Sequence, residues 1–154
     1  MGKKFELTDK FIINVFGIKL FQIKCTKSFK YAQKGDLGGY VEKEGNLDQE
    51  NDAWVSGNAQ VSGDAWVSGN ARVSGDANIK NNNEHCGFDG FGSCNRHTHA
   101  YLTKEKKVEI TCGCFRGSIE EFEKKVEETH SGTIYEKQYK AIINVIKIKF
   151  GLTD

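Results

Sequence analysis

AWVSGNAQVSGDAWVSGNARVSGDA, from Ala53 to Ala77, states nearly the same phrase four times. Set in frame, the chain reads NDAWVS, GNAQVS, GDAWVS, GNARVS and GDANIK from Asn51 to Lys80, with the looser hexads GYVEKE and GNLDQE before them. In each tight hexad an Ala stands two places before a Val or Ile. Strand alternation turns both inward and the residue between them outward. The inward set is Ala53, Val55, Ala59, Val61, Ala65, Val67, Ala71, Val73, Ala77 and Ile79. The outward set is Trp54, Gln60, Trp66, Arg72 and Asn78. A Gly with Asn or Asp opens each hexad from Gly57 onward and places a tight corner there. Short strands broken by corners at a fixed short period predict a β-helix.

The flanks read differently. FIINV and IKLFQIKC lie on either side of Phe16-Gly17, which predicts a β-hairpin. YAQKGDLGGYVEKEGNL is Gly-rich, with Gly35-Asp36 and Gly38-Gly39 as turn signals, and it lacks the Lys-Ser/Thr of a phosphate-binding loop. NNNEHCGFDGFGSCNRH reads as a polar loop, and THAYLTKEKKVEITCGCF as two strands turning at Lys104 to Lys107. Ser118-Ile-Glu-Glu121 is a capping box that opens a helix with Ile119, Phe122 and Val126 on one face, and Gly132 stops it. A second helix is predicted from about Ile134 to Phe150, with Tyr135, Tyr139, Ile142, Ile143 and Ile146 at helical spacing. The expected organisation is a β-rich region over 1–38, the hexads over 39–80, and a strand and two-helix region over 81–154.

Composition sets bounds on function. The 154 residues carry 22 Lys+Arg against 21 Asp+Glu, a net charge of +1, so no global field calls for nucleic acid or a membrane surface. No apolar run has the length of a membrane span, and MGKKFELTDKF lacks a signal-peptide core. The expected location is cytoplasmic. Five cysteines then read as free thiols or metal ligands rather than as a disulfide framework.

The layout resembles a hexapeptide-repeat family encoded in phage and prophage genomes. The matching residues are Glu6-Leu-Thr-Asp9, Lys34-Gly-Asp-Leu-Gly-Gly-Tyr-Val-Glu42, the hexads, Gly113-Cys-Phe-Arg-Gly117, Glu120-Glu-Phe122 and Thr129-His130. The resemblance implies a fold that is mainly β with α: a short left-handed parallel β-helix, three six-residue sides per coil, flanked by the N-terminal hairpin region and the C-terminal strand-plus-two-helix unit. It also implies a viral context, hence the host cell cytoplasm, and assigns no chemistry. Five tight hexads make 30 residues, less than two such coils. A solenoid that short needs neighbours to close its core. The expectation is therefore a homo-oligomer, a trimer, with Trp54, Trp66, Arg72, Tyr139, Ile142 and Ile146 as interface residues and the Arg72 guanidinium over the Trp54 indole one coil away.

Three chemistries compete. Hexapeptide-repeat acyltransferases using acetyl coenzyme A need a general base, and none of His85, His97, His99 and His130 lies in the hexads, so no catalytic residue is assigned. Zinc has suitable ligand types in Cys112, Cys114, His97 and His99, paired as CxC and HxH, but no CxxC knuckle. The bland reading of these is small buried thiols and a polar strand face, and no cofactor is assigned. Asn95, Arg96, His97, His99 and Tyr101 gather guanidinium, imidazole and phenol after a Gly-rich loop. These groups suit an anionic ligand bearing a ring. The expectation is a non-catalytic binding protein that sequesters a nucleotide-like host signal or blocks a host antiviral defence protein. The alternatives are an acyltransferase and a structural virion or assembly component.

Overall fold

The computed structural model describes residues 2–152. Its N-terminal hairpin pairs β1 (Phe5–Ile13) antiparallel with β2 (Lys19–Cys25) around the expected Gly17 turn, where φ is +80°. β2 then pairs antiparallel with β3 (Leu37–Val41). Of the glycines read as turn signals, Gly35 does make a turn, at φ +99°, while Gly38 and Gly39 lie within that strand. These two serve close packing instead: a Cβ on Gly38 would lie 2.6 Å from the Val55 carbonyl oxygen and 2.8 Å from the Trp54 ring.

The hexads supply β4 (Trp54–Val55), β5 (Gln60–Val61), β6 (Arg72–Val73) and β7 (Asn78–Ile79), two residues each. β5 pairs parallel with β3 and with β7, and β4 pairs parallel with β6, so Gln60 meets Asn78 and Trp54 meets Arg72. Every residue of the inward set is 0–1 % exposed. Gly57, Gly63, Gly69 and Gly75 all sit at φ between +60° and +62°, the left-handed region that makes each corner.

The expected left-handed parallel β-helix is nevertheless not the fold class. The largest sheet, in the order β1-β2-β3-β5-β7, is mixed, because two antiparallel partners enter it before the hexads do. β4 and β6 form a separate two-stranded sheet. A third, wholly antiparallel sheet follows in the order β11-β10-β9-β8, made of β8 (His85–Phe91), β9 (Arg96–Leu102), β10 (Val108–Cys112) and β11 (Phe115–Ser118). The physical reason lies in length. Two-residue strands offer few ladder bonds, so longer antiparallel neighbours decide how the sheets form. β8 also corrects the loop expected across its residues.

The helices follow the sequence reading closely. Ser118 caps α1 (Ile119–His130), accepting from the Glu121 N–H at 3.1 Å while the Ser118 N–H donates to Oε1 of Glu121 at 2.9 Å. Thr133 caps α2 (Ile134–Lys149). None of the described helices is long and apolar enough to cross a membrane.

Two apolar cores result. One joins Phe5, Ile23, Val41, Leu47, the inward hexad set and Trp54, and it reaches Tyr101 of β9. The other joins Ala100, Ile110 and Cys112 to the inner faces of α1 and α2. β9 thus divides its side chains between them by simple alternation. Lys4 ties the N-terminus to the hexads: its buried ammonium donates to the Ala53 carbonyl at 2.5 Å and lies 4.8 Å from the Phe29 ring centre.

Candidate functional site

A cleft opens where the hexads face the turn between β10 and β11. Gly113, at φ +58°, makes that turn and leaves Cys114 exposed at its tip. One arm of the cleft has a volume of about 440 Å³ and is lined by Lys30, Tyr31, Arg72, Arg96 and His97, with Asp52 as its carboxylate. A second arm runs past Trp54, Ser74 and Arg116, sharing Tyr31, Arg72 and Cys114 with the first. A third runs between α1 and the sheet, past Phe115, Lys125 and Tyr139, and shares Arg96, Cys114 and Arg116. Each volume falls within the usual range for small-molecule pockets.

Each cation has a structural cause. Arg72 is the outward residue of its hexad. It donates to the Gly113 carbonyl at 2.9 Å, and the backbone carbonyl of Arg72 accepts from the Thr111 hydroxyl at 2.7 Å. These two bonds hold the hexads against the antiparallel sheet. The guanidinium sits 5.4 Å from the Tyr31 ring centre, so the stacking partner is Tyr31 and not the expected Trp54. Arg116 is offset by Glu109 only at 4.0 Å, while that carboxylate also accepts from the Tyr101 phenol at 2.5 Å. Arg96, at the start of β9, is exposed and forms no ion pair among the described residues. In the second arm the buried Ser74 hydroxyl has no hydrogen-bond partner of acceptable geometry among the described residues.

The structure splits the five residues read as one ligand site. Asn95, Arg96 and His97 line the cleft. His99 and Tyr101 are buried, at 4 % and 0 % exposure, and do not reach it. Burial, and then the Glu109 carboxylate, push the Tyr101 phenol far above its ordinary pKa. Lys30, Tyr31 and Arg116 were not legible as site residues, since nothing in their local sequence marks them.

The interface expectation needs a similar correction. Trp54 is 3 % exposed within its own chain, edge-on to Phe29 at 5.3 Å. Tyr139, Ile142 and Ile146 are buried against α1 and the antiparallel sheet, with Tyr139 edge-on to Phe122 at 5.5 Å. None of these four has surface to offer a partner. Trp66 is 53 % exposed and Arg72 half-buried.

The metal alternative finds no convergent set. Cys112 is buried beneath α2, accepting from the Thr98 hydroxyl at 3.3 Å, and Cys114 lies in the cleft beyond the turn. His97 and His99 are hydrogen-bonded to each other, ring nitrogen to ring nitrogen, at 3.0 Å. Among the described residues no group of three or more His, Cys, Asp or Glu side chains is placed to hold a metal.

Comparison with known protein families and with curated proteins finds no match for this chain.

Proposed function

We propose that this chain is a non-catalytic binding protein whose cleft takes an anionic, ring-bearing small molecule of the nucleotide class. The observation that carries the reading is the meeting of Arg72, Arg96 and Arg116, from three different elements, around the exposed Gly113-Cys114 turn beside Tyr31. Clustering three guanidiniums is unfavourable unless an anion is to be bound, and Arg is suited to gripping phosphate oxygens bidentately. Tyr31 already holds Arg72 in place and offers a face for a base. The cleft's guanidiniums are suited to holding an anion, which supports binding as its role.

Sequestration of a host signal, and self-association, extend this proposal by the family resemblance. Of the expected interface aromatics, Trp66 is the one exposed, at 53 %, and it offers surface to a second copy.

Calorimetry with ADP and with inorganic pyrophosphate tests the reading. Binding is expected with the nucleotide recovered unchanged, and Arg96→Ala and Arg116→Ala are each expected to weaken it by about tenfold, the worth of one charge-assisted contact. Absence of binding at millimolar ligand, or wild-type affinity in both variants, overturns it. Turnover of acetyl coenzyme A would instead support the acyltransferase.

A further inference from the structure

Three imidazoles lie in a row behind the cleft, joined end to end. Nε2 of His85 contacts Oδ1 of Asn82 at 3.1 Å, and Nδ1 of His85 contacts Nε2 of His99 at 2.9 Å. Nδ1 of His99 contacts Nε2 of His97 at 3.0 Å, and Nδ1 of His97 contacts Oδ1 of Asp89 at 2.6 Å. The row is built by the backbone. β8 and β9 place Gly87 opposite His99, and a Cβ on Gly87 would lie 2.6–2.7 Å from atoms of the His97 and His99 rings. Only a glycine leaves room for the rings.

Both ends of the row are acceptors. The Asn82 amide is oriented by two bonds to backbone: its Oδ1 accepts from the Trp66 N–H at 2.9 Å, and its Nδ2 donates to the Asp64 carbonyl at 3.1 Å. The oxygen is therefore the atom that faces His85. Asp89 ends the other side with a carboxylate whose side chain is 64 % exposed. Between the two ends lie four contacts, and each needs one hydrogen. Three neutral imidazoles carry one ring hydrogen apiece. The row is one proton short.

We propose that His85, His99 and His97 bind one extra proton as a unit, held at His97 between Asp89 and His99, and that this proton sets the charge of the anion cleft onto which His97 opens. The hydrogen bonds then all run one way. His97 donates to Asp89 and to His99, His99 donates to His85, and His85 donates to Asn82. The two inner rings are neutral with the hydrogen on Nε2. Burial keeps them so, lowering the His85 pKa to about 4 and that of His99 well below its ordinary value. Lys149 of α2 faces His85 and opposes its charging, while Glu84, held by Lys80 at 3.0 Å, favours it more weakly. The neighbouring Cys86 thiol is kept protonated by burial. Around His97 stand Arg96, Lys30 and Arg72 across the cleft, with Asp52 and Asp89 as the acids.

Loss of the extra proton leaves a lone pair of His97 facing the Asp89 carboxylate, which is free to turn into water. The cleft then carries one positive charge fewer. Anion affinity is expected to fall as pH rises, by roughly five- to tenfold for one partly screened unit charge. This coupling rests on the anion-cleft reading above; the proton count does not.

Two measurements separate them. Ring-nitrogen NMR of the unliganded protein at neutral pH is expected to show four ring N–H groups over the three residues, with His97 doubly protonated. Three ring N–H groups, or His99 carrying its hydrogen on Nδ1, overturns the proposal. Asp89→Asn is the decisive variant, since an amide N–H can supply the missing hydrogen. His97 is then expected to become neutral with the fold intact, and a doubly protonated His97 in that variant also overturns the proposal. Pyrophosphate binding by calorimetry at pH 6 and pH 9 tests the coupling: wild type is expected to lose affinity at the higher pH and Asp89→Asn to lose that dependence. Four ring N–H groups without pyrophosphate binding at either pH would refute the cleft and the coupling, leaving the proton count. Three ring N–H groups with pH-independent binding would refute the extra proton and leave the cleft.

Discussion

The four corner glycines of the hexads have the same sequence setting and the same backbone conformation, φ +60° to +62°, yet they meet different surroundings. Replacing each by Ala imposes the same left-handed penalty, about 1–2 kcal/mol, of which about 0.4–1 kcal/mol is returned by the stiffer unfolded chain. At Gly69 nothing lies within 4 Å of the added methyl, so Gly69→Ala is expected to cost about 1 kcal/mol or less. At Gly63 the methyl is driven into the Lys80 carbonyl oxygen. That oxygen is backbone and cannot rotate aside. It follows Ile79, whose carbonyl accepts from the Ser62 N–H at 2.9 Å and whose strand pairs with Val61. The Gly63 N–H is itself held by Oε1 of Glu42 at 2.8 Å. Opening this contact adds an overpacking penalty of about 1–3 kcal/mol. Urea unfolding followed by circular dichroism reads the difference directly, since the dihedral term cancels between the variants. With a slope of about 2 kcal/mol/M, the Gly63→Ala midpoint is expected about 0.5–1.5 M below that of Gly69→Ala. Equal midpoints would refute the stacking of this corner on Lys80.

Single-tryptophan variants report the two environments separately: Trp66→Phe, which leaves the 3 % exposed Trp54, is expected to emit in the blue and resist iodide, while Trp54→Phe leaves the 53 % exposed Trp66 red-shifted and quenched. An iodide-resistant Trp66 would show that a second copy covers it. Acid should destabilise the fold before its carboxylates titrate. Between pH 6.5 and about 4 the unfolded chain takes up protons at His85 and His99 that the folded chain refuses, so stability falls as pH falls across that window, by about 2 kcal/mol at pH 5 from His85 alone. A urea midpoint unchanged between pH 7 and pH 5 would contradict this. Ser118→Ala removes the α1 cap and is expected to cost about 1 kcal/mol in the same assay, whereas a loss below 0.3 kcal/mol would mean the capping box contributes little.

Local pattern made several features legible in the sequence. Ala53 through Ile79 alternate inward because side chains on extended backbone have a period of two, and all of the inward set is buried. The corners follow from Gly, the hairpin from Gly17, and both helices from their caps and apolar spacing. For the candidate site, Asn95, Arg96 and His97 were marked by their own chemistry and do line the cleft.

What each face meets was decided only by long-range pairing. A period of two cannot say that β3 joins β2 antiparallel and β5 parallel, so the hexads read as a β-helix although they divide between a mixed sheet and a separate two-stranded one. Gly38 and Gly39 looked like turn formers and Gly87 fell in an expected loop, and only their neighbours show that they make room for Trp54, Val55 and the imidazoles. The stripe of Tyr139, Ile142 and Ile146 demanded a cover, and α1 and the antiparallel sheet supply it within the chain. Arg72, Arg96 and Arg116 lie far apart in sequence, and their meeting depends on the β10–β11 turn docking against the hexads through the Arg72 bond to Gly113. Residue type sets what a side chain can do. Which charges and rings share one cleft is set by the packing of elements that carry no sequence signal for one another.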